Sequence, residues 1–139
     1  MAKVLVVEDN SDARRLLKAI LEHEQLEVVE AEDGIEGLEQ ASAESPDLII
    51  TDISMPRLGG QEMIKRLRKS PENKNLPILA ITAYGIERAM EAIKAGASRA
   101  LARPIENHLL LTFVFDLLRK PLGANVSTLQ SATKQREGS

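Results

Sequence analysis

The run Asp47-Leu48-Ile49-Ile50-Thr51-Asp52, continued by Ile53-Ser54-Met55-Pro56-Arg57-Leu58-Gly59-Gly60, decides the fold. Its apolar residues are consecutive and do not alternate, so a strand over 48–51 has side chains to bury on both faces. Parallel sheets meet that requirement, because crossover helices cover each face. The strand ends at a carboxylate. A polar loop with Pro56 and two glycines then leads into residues 61–69, whose apolar positions follow helical spacing.

The same unit recurs in both directions along the chain. Upstream, strands over 3–7 and 27–31 are each followed by amphipathic segments, one carrying Ala13, Leu16, Leu17, Ile20 and Leu21, the other over 35–43. Downstream come the continuously apolar 78–81 with a helix over 86–95, and a fifth strand over 99–102 with a helix over 106–119. Five alternations predict an α/β fold, a (βα)5 doubly wound parallel sheet of five strands in the flavodoxin-like order 2-1-3-4-5. Asn10 or Ser11 is placed to cap the first helix, and Gly96 to end the fourth in the left-handed conformation. Ile86, Ala89, Met90 and Ile93, like Leu110, Phe113, Val114 and Leu117, read as core faces.

The chain has 139 residues, 43% hydrophobic and 28% charged, which suits one soluble domain with a real core. Residues 1–120 are read as that domain. Residues 121–139 are rich in small polar side chains and are expected to be a disordered tail or truncated linker, with a short docking segment as the alternative. Aromatics make up 2% of the chain and Trp is absent, so no cage for a flat cofactor is expected. A net charge of −3 with scattered cations argues against nucleic-acid binding. No cysteine is present, which excludes thiol chemistry. Without an apolar span or signal pattern, the expected location is cytoplasmic and off the membrane. His23 and His108 have no partners at motif spacing and are expected to face solvent.

Open α/β sheets bind ligands beyond the carboxyl ends of their strands, where strand order reverses. The unusual residues fall at such ends: Glu8 and Asp9 after strand one, Asp52 after strand three, Thr82 at strand four, Arg103-Pro104 after strand five. In the order 2-1-3-4-5, strands one and three are neighbours, and three carboxylates share a crevice. Like charges at about 4 Å repel by roughly 4 kcal/mol at an effective dielectric of 20. A hard divalent cation with oxygen ligands would offset that repulsion, and Mg²⁺ with a phosphoryl oxygen fits the donor set.

At this point the residues resemble the receiver domains of bacterial response regulators, over about residues 2–120. The resemblance rests on Val6-Val7-Glu8-Asp9-Asn10, on 47–56 running into Gly59-Gly60, on Ile81-Thr82-Ala83, on Ala95-Gly96-Ala97 and on Arg103-Pro104. It implies a switch phosphorylated on Asp52 by a sensor histidine kinase or phosphotransfer protein. Glu8, Asp9, Asp52 and the Ser54 main-chain carbonyl would serve Mg²⁺, or Mn²⁺ in its place. Thr82, the Ala83 amide and Arg103 would contact the phosphoryl group. Ser54, Tyr84 and Ala100 occupy the positions that set switching and lifetime in the family, and Pro104 that of a cis peptide. Output would pass to a downstream protein through helix four, strand five and helix five, with a homodimer as a further implication.

Three features depart from the family pattern. Arg103 stands where the family has a pocket lysine, and a planar fork does not replace a compact ammonium conservatively. Ala100 stands where many members carry a Tyr or Phe that turns inward. The segment from Thr82 to Arg103 is about one residue shorter than the common spacing. Two rival readings follow: a receiver-like docking module little regulated by phosphate, and a flavodoxin-type electron carrier. The second needs a flavin-phosphate loop where Glu8-Asp9-Asn10 would repel it, and no Walker loop supports nucleotide hydrolysis.

Overall fold

The computed structural model describes residues 1–55, 57–83 and 85–119. Five strands, β1 (Lys3–Val7), β2 (Glu27–Ala31), β3 (Leu48–Asp52), β4 (Ile78–Thr82) and β5 (Arg99–Ala102), form one sheet in the order β2-β1-β3-β4-β5. Every neighbouring pair is parallel. The crossovers are α1 (Ser11–His23), α2 (Gly34–Glu44), α3 (Gly60–Lys69) and α4 (Gly85–Ala95), and α5 (Asn107–Arg119) follows the last strand. A 3-10 turn over Pro71–Asn73 follows α3. The predicted fold class and strand order are those observed.

The central strands are buried as their uninterrupted apolar runs require. Leu5, Val7, Ile49, Ile78 and Ala80 pack with Ala41 of α2, Met63, Ile64 and Leu67 of α3, and Ala92 and Ala95 of α4. The alternate residues Val4, Val6, Leu48, Ile50, Leu79 and Ile81 face the other way, onto Leu21 of α1 and Leu110, Val114 and Leu117 of α5. The period of two thus assigns three helices to one face and two to the other. Each fully buried aliphatic side chain contributes about 1.5–3 kcal/mol.

Local signals explain the element ends. Asn10 is the cap of α1, its side chain accepting from the Ala13 amide at 2.9 Å. Asp33 caps α2 in the same way, accepting from the Glu36 amide at 2.9 Å. Gly96 takes φ +126° after α4, where the Ala97 amide reaches back to the Ala92 carbonyl at 3.0 Å. Helices α2, α3 and α4 each begin one residue before the predicted start, at glycines that apolar periodicity cannot count, and α5 begins one residue later.

One expected core face is corrected. On α4, Ile86, Met90 and Ile93 are 74%, 54% and 47% exposed, and the helix packs through Ala92 and Ala95 instead. The two small side chains let the helix lie close to the sheet, which turns the larger apolar row outward. On α5 the expected face is the buried one, except that Phe113 is half-buried. Leu16 of α1 is also exposed, and His23 and His108 face solvent as expected. The call on residues 121–139 lies outside the described residues. No helix among the described residues is long and apolar enough to cross a membrane.

Candidate functional site

Register brings the polar residues to one edge of the sheet. Val7 lies opposite Thr51 and Asp52 opposite Ile81, so the carboxyl ends of β1, β3 and β4 are adjacent. The chain leaves β1 towards β2 and leaves β3 towards β4, which makes the β1/β3 boundary the switch point. There, Glu8, Asp9 and Asp52 each offer a carboxylate oxygen, all within 4.8 Å of one another. The shared acidic crevice expected from the sequence is present.

Each carboxylate is held differently. Glu8 is 1% exposed. Its main-chain amide donates to the Ala31 carbonyl at 3.0 Å, and its own carbonyl accepts from Arg14 Nη1 at 2.7 Å. Its carboxylate accepts from the Asn10 amide at 3.1 Å and from Arg103 Nη2 at 2.5 Å. Asp52 is half-buried, and its Oδ1 accepts from the Ile53 amide at 2.7 Å and from the Ser54 amide at 3.3 Å. Asp9 as a residue is exposed, yet partial burial of its carboxyl, followed by the hydrogen bond and charge of Glu8, raises its pKa above the ordinary range. Burial beside a second carboxylate thus makes the ionised form of Asp9 costly. The all-oxygen donor set fits a hard ion of the Mg²⁺ type.

The remaining expected residues fall around this crevice. Thr82 is buried at the end of β4, and its carbonyl accepts from the Arg103 amide at 2.8 Å. Ala83 follows at the surface, and Ser54 lies exposed in the loop after β3. The peptide before Pro104 is cis, as expected. Ala100 is half-buried on β5 beside Ala80. Tyr84 lies outside the described residues. Arg103, expected to contact a phosphoryl group, lies at the rim of the crevice with its side chain partly exposed. Its guanidinium sits on Glu8.

Sequence reasoning missed a second ion pair, which fixes the loop after β3. Asp33, 4% exposed, receives Nε of Arg57 at 2.6 Å and also pairs with its Nη2. Arg57 adopts φ +62°, in the left-handed region that non-glycine residues seldom take. The Gly34 amide donates to the Leu58 carbonyl at 2.9 Å, so the loop is tied to the start of α2 at two points. Beyond it, a Cβ on Gly60 would lie 2.1 Å from the Asp52 carbonyl oxygen, which only glycine permits. The available signal was Asp33-Gly34 ahead of a helical pattern, a cap signature with a side-chain oxygen to spare.

Fold and crevice together define a class, and comparison with known proteins agrees with it. Residues 4–115 match the response regulator receiver domain family model. The chain is 39% identical over 116 residues to hybrid signal transduction histidine kinase D of Dictyostelium discoideum, covering 83% of this chain and 7% of that protein. It is 36% identical over 112 residues to an uncharacterised 14.6 kDa protein of Leptolyngbya boryana, covering 80% of this chain and 86% of the relative. Among solved structures, a response regulator from Chloroflexus aurantiacus superposes with a TM-score of 0.81 at 35% identity, over 84% of this chain and 97% of that one.

The chain belongs to the response regulator receiver domain family. It is a receiver domain of two-component signalling, a module type that signals and whose general partner is a histidine kinase.

Proposed function

We propose that this receiver works as a phosphorylation-dependent switch with Asp52 as acceptor. The observation that supports it is the meeting of Asp52 with Glu8 and Asp9 at the switch point of the sheet. An oxygen of the Asp52 carboxylate attacks the phosphorus of a phosphohistidine. The N–P bond breaks as the O–P bond forms, and the departing imidazole keeps the electron pair and takes a proton. Such transfers are dominated by positioning and charge neutralisation, so the domain needs no further nucleophile or base. Glu8, Asp9, Asp52 and the Ser54 carbonyl would hold Mg²⁺, which when bound neutralises the charge gathering on the phosphoryl oxygens.

The remaining roles belong to this chain's own residues. The Ile53 and Ser54 amides hold one Asp52 oxygen and so orient the carboxylate. The Thr82 hydroxyl and the Ala83 amide take up phosphoryl oxygens, drawing the loop after β4 towards the site and reshaping the surface of α4, β5 and α5. Donor and output partner are proteins, and any catalysis is limited to self-phosphorylation from phosphodonors and autodephosphorylation. The exposed row Ile86, Met90 and Ile93 supports the rival reading, a docking module in which Asp52 is a relic.

The two readings separate in one experiment. Incubation with Mg²⁺ and a small phosphodonor yields, on intact-mass analysis, a base-labile adduct of one phosphoryl group that Asp52→Asn abolishes. No adduct, or an adduct retained in Asp52→Asn, leaves the docking reading in its place.

A further inference from the structure

We propose that Arg103 is an internal counter-cation, bound to Glu8 in the metal-free protein and displaced when a divalent ion enters the crevice. The inference rests on the reading of Glu8, Asp9 and Asp52 as a cation site. Metal loading and release of the Arg103 side chain are then one event, and Arg103 lowers the affinity for the ion.

The pair is asymmetric. Glu8 is buried, and both its main-chain groups and the second oxygen of its carboxylate are already bonded, so it stays in place. Arg103 has a side chain 35% exposed, and the bond to Glu8 is its one side-chain hydrogen bond among the described residues. A buried carboxylate requires a compensating charge, whereas a half-exposed guanidinium can exchange its partner for water. Arg103 is therefore the member that leaves.

Its main chain stays anchored as the side chain departs. The Arg103 amide is bonded to the Thr82 carbonyl, so the displaced guanidinium swings from a fixed point beside β4. A dication and a guanidinium on one carboxylate cluster repel each other. At about 6 Å, an effective dielectric of about 40 and about 0.15 M salt, that repulsion changes an affinity by about tenfold. Arginine suits the role better than lysine, because a weakly hydrated fork loses less on pairing with a buried carboxylate.

The test is Mg²⁺ titration by calorimetry, without phosphodonor, on the full chain, Arg103→Gln, Glu8→Gln and the double variant. Arg103→Gln keeps a donor for Glu8 while removing the charge, and metal-free thermal melts identify the variants that are folded before titration. Arg103→Gln is expected to bind Mg²⁺ about tenfold more tightly than the unaltered protein, with the gain falling below about twofold in the Glu8→Gln background. In the unaltered protein the Arg103 Nε–H resonance shifts as Mg²⁺ is added. Equal or weaker binding by Arg103→Gln, a gain that survives Glu8→Gln, or no measurable Mg²⁺ uptake by any variant overturns the inference. An adduct on Asp52 with unchanged Mg²⁺ affinity in Arg103→Gln removes the counter-cation and leaves the switch. The coupled gain without any adduct does the reverse.

Discussion

Replacing Asp33 separates two contributions that the structure assigns to one carboxylate. One oxygen caps α2 through the Glu36 amide, and the other carries Arg57 of the loop after β3. Asp33→Ala removes both, and loss of the cap alone costs about 0.5–2 kcal/mol. Asp33→Asn keeps an equally good cap and removes only the charge. The Arg57 side chain is 59% exposed, so water screens the attraction, and Asp33→Asn should recover most of the stability lost in Asp33→Ala. For a domain of this size, 1 kcal/mol corresponds to a shift in Tm of about 3–6 °C. Urea melts followed by far-UV circular dichroism give the comparison, with equal slopes and different midpoints.

The same variants predict a pH dependence. The Glu36 amide, followed by the Arg57 guanidinium against an opposing cost of burial, holds the Asp33 carboxyl below the usual carboxylate range. A group with a depressed pKa contributes stability above its unfolded value, about 3.9, and that contribution disappears as pH falls through the folded value. The gap between the unaltered protein and Asp33→Ala is therefore full at neutral pH and narrows below about pH 4. If Asp33→Asn is as unstable as Asp33→Ala, or the gap is unchanged on acidification, the division into cap and ion pair is wrong.

Two further substitutions test the crevice itself. Gly60→Ala sets a methyl against the Asp52 carbonyl, where backbone on both sides allows no rotamer to relieve it; the expected cost of about 1–3 kcal/mol, less about 1 kcal/mol of gained helix propensity, appears in urea melts and as shifted Asp52 amide resonances. Asp9→Asn is expected to raise metal-free stability at neutral pH, since the raised Asp9 pKa means its charge opposes folding there, an effect that fades as pH falls towards the unfolded carboxyl value of about 3.9. The same variant should lose the rise in Tm that Mg²⁺ gives the unaltered protein, and thermal melts with and without the ion check both halves.

Much of this was legible in the sequence, for reasons that differ by residue. Leu48-Ile49-Ile50 and Ile78-Leu79-Ala80-Ile81 demanded cover on both faces, and that requirement alone restricts the sheet to parallel strands flanked by helices. The carboxylates were legible because strand ends are legible: Glu8, Asp9 and Asp52 each follow an apolar run. The outward row of α4 was not, since Ile86, Met90 and Ile93 have the spacing of a core face and periodicity does not say which of two stripes meets the sheet. The stripe of Ala92 and Ala95 wins through close approach, which side-chain size determines and hydrophobicity counts overlook. The pairs Arg57–Asp33 and Arg103–Glu8 join residues 24 and 95 positions apart, and no local pattern records them.

Arg103 links these observations to the way the switch would be poised. Three carboxylate oxygens within 4.8 Å would strain a metal-free fold, and burial, followed by the hydrogen bond and charge of Glu8, already raises the Asp9 pKa. A guanidinium on the most buried of the three relieves part of that strain without closing the crevice, because Asp52 keeps its own bonds to the Ile53 and Ser54 amides. On the counter-cation proposal, the resting state is stabilised by the side chain that a divalent ion would displace. With Ala100 in place of a ring on β5, no aromatic rotation is available at that position to report the acceptor's state. What can still move is a long cationic side chain anchored by its amide to Thr82. On the counter-cation proposal, the signal would pass through a migrating charge rather than a rotating ring. Such a signal is sensitive to salt in a way that a buried ring is not.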